Sequence, residues 1–204
     1  MKLHAHIERG HSATAPLFVF VHGKAGHRDI MRIFSRSLPE GANQIFVEAP
    51  YPDKRGGFSW WDTDLKEFPT SQFEESLIAL ERVFASLQSD FGIQPEKVTA
   101  LGFSQGAGIL SHLLLSGRVS LNALVILAGF VQWPEELCAK SSATSILWAH
   151  GESDDVVTIT RARSDVKRLQ EIGYEVALVS DPVGHKVGTA GMRALKSFCL
   201  TLED

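Results

Sequence analysis

The stretch Leu101-Gly102-Phe103-Ser104-Gln105-Gly106-Ala107-Gly108 holds one hydroxyl among small residues, where the apolar run Val98 to Phe103 gives way to a helical pattern from Gln105 to Leu115. Gly-x-Ser-x-Gly at a strand-to-helix junction predicts a sharp turn that lifts the serine oxygen clear of the backbone, ready to meet an incoming reactant. A serine kept only for structure needs no such neighbours. The spacing of Gly102, Gly106 and Gly108 does not fit GxGxxG, and no GxxxxGK occurs, so nucleotide-binding readings lack support.

Outward from this turn, short β-rich apolar runs recur at Leu17 to Val21, Gln44 to Val47, Val98 to Phe103, Leu121 to Ala128, Ile146 to Ala149 and Glu175 to Val179. Continuous apolar runs of this length read as strands buried on both faces. Helical patterns lie between them. Phe73, Leu77, Leu80, Phe84 and Leu87 recur every three or four residues, which predicts a helix from Gln72 to Gln88 with one greasy side. Further helices are expected at Ile30 to Leu38, Gln105 to Leu115, Ile159 to Ile172 and Val187 to Leu200, with Pro39, Gly117, Gly173 and Gly184 near their ends. The alternation predicts an α/β fold, a mostly parallel sheet covered by helices on both faces, in one domain over residues 1–204. The stretch from Ala49 to Thr70, with Pro50, Pro52, Gly56, Gly57 and Trp60-Trp61, lacks periodicity and is expected to be a long functional loop.

Composition excludes several classes of partner. With 20 basic against 24 acidic residues the formal charge is -4, and no basic run is present, so neither nucleic acid nor an anionic membrane is a general electrostatic partner. A small-molecule partner is the expectation. Cys138 and Cys199 are too few for a disulfide framework and form no CxxC pair, which points to a reducing cytoplasm. The first residues lack the apolar core of a signal peptide, and the longest apolar stretch, Ala123 to Val131, is too short to span a bilayer, so stable membrane insertion is not expected. Monomer and homodimer both remain open.

In a parallel sheet the carboxyl ends of the strands gather at one edge, so chemistry is sought in the residues that directly follow strands. Four such ends stand out: His22-Gly23-Lys24, Gly102 to Gly106, His150-Gly151-Glu152-Ser153-Asp154, and Gly184-His185. A serine hydroxyl is a poor nucleophile near neutral pH. It needs a base, and the base needs a carboxylate to fix its orientation. After Ser104 the chain offers Asp154 or Asp155 at a strand end and His185 in the final loop, in the order serine, acid, histidine.

These segments, together with Leu127-Ala128-Gly129-Phe130, resemble the carboxylesterase, lysophospholipase and acyl-protein thioesterase branch of the α/β-hydrolases. The similarity runs along almost the whole chain, and Gly-Phe-Ser-Gln-Gly-Ala is its most specific element. It implies an α/β-hydrolase fold with a central sheet of about seven strands, and a serine hydrolase acting on acyl esters or thioesters without metal or cofactor. By the same resemblance Ser104 is the nucleophile, His185 the base and Asp154 the acid, while Asp155 reads as a solvated acid or a helix cap. Two backbone N–H groups, of Gln105 and Lys24, are implied as the oxyanion hole. Lys24 stands where the family usually has an apolar residue, and its amine is expected in solvent.

Trp60-Trp61-Asp62 resembles the segment bordering the acyl site, so Trp60, Trp61 and Phe130 are expected as substrate-binding residues. The competing reading of the two tryptophans is that they pin the loop to the core. His4 and His6 alternate on an expected edge strand and read as surface residues rather than metal ligands, for want of a third ligand. His22 and His150 are expected to serve turn packing or hydrogen bonding, and His112 to be structural. The segment between Phe130 and Ser145 is short and polar, which favours short or medium acyl groups over a long-chain tunnel. The rival from another class is a hydrolase-like protein that binds a ligand without turnover; such proteins typically lack a triad member, and this sequence offers all three.

Overall fold

The structure, a computed structural model, describes residues 1–138 and 144–202. Seven strands form the central sheet: β1 (Ala5–Glu8), β2 (Leu17–Val21), β3 (Asn43–Val47), β6 (Val98–Phe103), β7 (Ala123–Leu127), β8 (Ser145–Gly151) and β9 (Glu175–Asp181). Their order is β1-β3-β2-β6-β7-β8-β9, parallel throughout except for the antiparallel edge strand β1. This is the α/β-hydrolase architecture that the sequence leads one to expect.

Strand β2 explains why the apolar runs are continuous rather than alternating. Leu17, Val19 and Val21 face one layer with helices α1 (Thr70–Ala85), α3 (Gln105–Leu115) and α4 (Ile159–Glu171). Phe18 and Phe20 face the other, against α5 (Thr189–Leu200) and the segment Arg28–Ser37. A strand covered on both sides has no polar face to display.

Two helix expectations differ from the structure in an instructive way. Arg28–Ser37, where a helix from Ile30 to Leu38 is expected, is a 3₁₀ helix whose buried residues are Met31, Phe34 and Ser37. A strict three-residue repeat matches the three residues per turn of a 3₁₀ helix better than the 3.6 of an α-helix. The expected single helix from Gln72 to Gln88 is α1 followed by the short α2 (Leu87–Phe91), which ends at Gly92 with φ of 65°. The long loop carries a small hairpin, β4 (Tyr51–Pro52) with β5 (Phe58–Ser59).

The expected edge-strand histidines sit as anticipated: His6 lies in β1 and His4 just before it, both exposed. Among the described residues no group of three or more histidine, cysteine, aspartate or glutamate side chains is placed to hold a metal ion. No helix among them is long and apolar enough to cross a membrane. Cys138 and Cys199 are both free thiols, the first exposed and the second buried. The segment expected to bear on acyl length is only partly covered, since residues 139–143 lie outside the described residues.

Candidate active site

Ser104 stands at the carboxyl end of β6 with φ 50° and ψ -113°, a conformation that L residues rarely adopt. Its N–H is held by the Leu127 carbonyl of the neighbouring strand at 3.0 Å, and α3 begins at the next residue. The turn is possible because Gly106 lacks a side chain: a Cβ there would lie 2.2 Å from the Val21 carbonyl oxygen and 2.6 Å from that of His22. The strained turn is thereby pressed against the end of β2.

The other two groups arrive from two different strands. Asp154 follows β8 and is nearly fully buried; its Oδ1 accepts the backbone N–H groups of Val156 at 2.9 Å and Val157 at 2.8 Å. His185 follows β9, and the loops bearing the two are tied together by Glu152 N–H to Asp181 O at 2.8 Å and Ser153 N–H to Val183 O at 3.0 Å. The His185 Nδ1 lies 2.8 Å from Asp154 Oδ2, and its Nε2 lies 3.0 Å from Ser104 Oγ. A carboxylate only accepts, so the imidazole proton belongs on Nδ1 and Nε2 is left to accept the serine O–H. The edge of the ring pair Phe103 and His185, centroids 5.2 Å apart, further fixes the imidazole. Asp155, the alternative acid, is exposed and takes no part in this chain of bonds.

Gln105 contributes more than a backbone amide. Its buried side chain accepts the Trp60 N–H at 2.9 Å and donates to the Trp61 carbonyl at 2.8 Å. Trp60 is fully buried, donates its indole N–H to the His22 carbonyl at 2.8 Å, and its own carbonyl accepts from Ser76 Oγ at 2.5 Å. Of the two readings of the tryptophan pair, pinning the loop is therefore the role of Trp60, whose ring has no surface left for a substrate. Trp61 sits in an aromatic group with Phe68, Phe73 and Phe130, at centroid distances of 6.0, 5.1 and 6.4 Å. The rings of Phe130 and Trp61 lie over Gly108, one helical turn beyond Ser104, where a Cβ would come within 2.8 Å of Phe130.

His22 fixes the loop that leads to Lys24. The Ala49 N–H donates to its Nε2 at 3.0 Å, so the ring proton is on Nδ1 and goes to the Gly23 carbonyl at 2.7 Å. Burial pushes the pKa of this imidazole below the usual histidine value, the bond to Gly23 opposing in part. The expectation that the Lys24 amine is simply solvated is corrected: it donates to Thr63 Oγ1 and to Asp64 Oδ1, the latter at 2.9 Å. Asp64 also pairs with Lys54 at 2.7 Å and Arg55 at 3.0 Å, and its hydrogen bonds to Lys54 and Lys24 hold the carboxyl well below the usual range. Lys24 thus fastens the start of the chain's first crossover to the long loop.

Sequence reasoning missed Asp165. This helix residue is buried beside Ala162, Val166 and Leu169, and its carboxylate accepts the Val131 N–H at 3.0 Å and the Trp133 indole N–H at 2.9 Å. It holds the segment after β7 in place, and the Arg161 guanidinium covers the Phe130 ring at 4.3 Å. An acid on the apolar stripe of a helix was the available signal. His112 is half-buried in α3 against Phe73 and the Gln132 carbonyl, as a structural residue should be.

With this geometry in view, comparison with known proteins is decisive about descent. The sequence pattern of the phospholipase/carboxylesterase family matches residues 3–202. The chain belongs to that family. Among relatives in this phospholipase/carboxylesterase group, a probable carboxylesterase of Oryza sativa subsp. japonica is 27% identical over 152 residues, covering 69% of this chain and 56% of the rice protein. An acyl-protein thioesterase 1 of Emericella nidulans is 30% identical over 163 residues, covering 69% of this chain and 67% of its own length. The matches thus span a little over half to two thirds of these curated relatives. The Bacillus cereus carboxylesterase crystal structure superposes with a TM-score of 0.87 at 15% identity, covering 98% of this chain and 94% of that one, which bears on the fold alone.

Proposed function

We propose that the chain is a serine hydrolase that cleaves carboxylic esters through an acyl-enzyme. The observation that carries this reading is the unbroken hydrogen-bonded line from Ser104 through His185 to Asp154. In the first half, Ser104 Oγ attacks the carbonyl carbon while His185 Nε2 takes the hydroxyl proton, and Asp154 stabilises the imidazolium. The backbone N–H groups of Gln105 and Lys24 receive the oxyanion. The tetrahedral centre collapses with loss of the alcohol or thiol, which takes the proton back from His185. In the second half, water gives its proton to His185, adds to the acyl carbon and releases the acid, restoring the Ser104 hydroxyl.

Half-buried Phe130, backed by the buried ring of Trp61, offers an apolar wall one turn from Ser104, and short or medium acyl chains are the groups such a wall suits. On this reading the protein is a single domain working in the cytoplasm on a small-molecule ester, with no metal or cofactor. A second reading is hydrolysis of acyl thioesters on proteins, which the relatives named acyl-protein thioesterases favour, or of lysophospholipids. Matched oxygen esters and thioesters of rising acyl length separate the two by their kcat/KM ratios.

The decisive experiment is labelling by a fluorophosphonate, which reacts with an activated serine. Wild type is expected to label at Ser104 and to turn over p-nitrophenyl butyrate, whereas Ser104→Ala does neither, with kcat reduced by about 10⁴-fold or more. A Ser104→Ala protein with full turnover overturns the proposal. So does an unlabelled, inactive wild type, which would leave a ligand-binding protein.

A further inference from the structure

Asp154 Oδ2 lies between two imidazoles. His185 Nδ1 is 2.8 Å away on one side, and His150 Nε2 is 3.5 Å away on the other. The second ring is fully enclosed, and its tautomer is set by its neighbours. Trp148 Nε1, which can only donate, lies 3.1 Å from His150 Nδ1, so Nδ1 accepts and the ring proton is on Nε2. That proton goes to the Val157 carbonyl at 2.7 Å, while the Val157 N–H holds Asp154 Oδ1 at 2.8 Å. Trp148, His150, Val157 and Asp154 therefore form a closed polar chain behind His185, in a place that an apolar core would otherwise fill.

We propose that His150 is a positioning residue for the reaction: by fixing Val157 and flanking Oδ2, it holds Asp154 where its carboxylate keeps His185 turned toward Ser104. The inference rests on the assignment of Ser104, His185 and Asp154 proposed above. A 3.5 Å separation is too long for a strong hydrogen bond, so the larger part of the effect passes through the Val157 backbone. Outer partners of this kind set the orientation of the groups that do chemistry, and a small misplacement there costs turnover rather than binding.

Two substitutions separate this role from packing. In His150→Asn the amide falls near the position of Nδ1, where it can satisfy Trp148 but cannot reach Val157; in His150→Gln it falls near Nε2 and can reach Val157. With p-nitrophenyl butyrate, His150→Gln is expected to keep kcat within about threefold of wild type, while His150→Asn loses about 10- to 100-fold in kcat with KM nearly unchanged. In an Asp154→Asn background, His150→Asn is expected to cost less than about twofold more, because its effect passes through the same carboxylate.

Full turnover by His150→Asn, or losses that multiply independently with Asp154→Asn, overturns the inference. A Gln variant more damaged than the Asn variant does so too, since it makes the Trp148 contact the one that matters. If His150→Asn does not fold, His150→Gln decides alone: a folded Gln variant without activity overturns the inference. Asp154→Asn at wild-type turnover instead overturns the assignment of the acid itself, and the role of His150 with it.

Discussion

Gln105 grips the backbone of Trp60 and Trp61 from some 45 positions away in sequence, with its side-chain oxygen 2.9 Å from the Trp60 nitrogen and its amide nitrogen 2.8 Å from the Trp61 carbonyl oxygen. The residue whose backbone N–H is proposed for the oxyanion hole is thus the residue that locks the long loop. Gln105→Leu keeps the size but abandons a buried donor and a buried acceptor, which costs about 1–3 kcal/mol for each group left unpaired. We expect a lower urea midpoint together with a loss of kcat, followed by denaturation and ester assay on the same samples. Unchanged stability would mean that the loop is held without Gln105.

Asp154 and Asp155 are adjacent in sequence and opposite in environment, one buried under three N–H donors and the other in water. Asp154→Asn is expected to reduce kcat by about 10³- to 10⁴-fold, because the amide no longer fixes the productive imidazole tautomer. Asp155→Asn should stay within about twofold of wild type, as exposed positions away from partners usually do. Reversal of the two effects in steady-state kinetics would refute the assignment of the acid.

Burial holds His22 neutral further into acid than an ordinary imidazole. The unfolded chain takes up a proton at this residue near pH 6.5, whereas the folded one does so only lower. The unfolded state therefore binds more protons in between, and the contribution of His22 to stability is full above about pH 6.5 and declines below it. Ring nitrogen shifts in NMR are expected to show His22 less than half protonated at pH 6.5, with its neutral form carrying the proton on Nδ1. A ring half titrated at pH 6.5 would contradict this.

Lys24 and Asp64 tie the first loop to the long one through a partly exposed ion pair, in which Asp64 keeps two other cations if Lys24 is lost. Such pairs contribute little to stability. Lys24→Leu is expected to change the melting temperature by no more than about 2 °C and to leave kcat near wild type, since the backbone amide is retained. A large loss of kcat would mean that the amine itself, and not the peptide group, serves the reaction.

How far the sequence disclosed this arrangement depended on whether the deciding contact was local. The inner strands β2, β6 and β7 announce themselves because each is buried on both faces, and the Gly-x-Ser-x-Gly turn because its sterics involve neighbouring residues. Strand β8 runs two residues beyond its apolar run, since His150 and Gly151 pair with Ser180 and Asp181, which composition does not reveal. The three-residue repeat at Met31, Phe34 and Ser37 was legible but is easily taken for an α-helical stripe. The fate of the Lys24 amine depended on Asp64, 40 positions away, and that of Trp60 on Ser76 and Gln105. No pattern of spacing encodes such partners. Ser104, the pair Asp154 and Asp155, and His185 were readable as candidates because each lies at or just beyond the end of a strand, and the preference for Asp154 came from the family resemblance, while the bonds behind Asp154 were not readable.

The sheet also works as a ruler. Ser104, Asp154 and His185 hang from β6, β8 and β9, within four neighbouring strands whose spacing is about 4.8 Å per step whatever the length of chain between them. Crossovers can thus grow, shrink or be cut on the far rim, as around residues 92–97, without the reacting atoms drifting apart. Evolution is free to rewrite one rim of this molecule while the other keeps its measure.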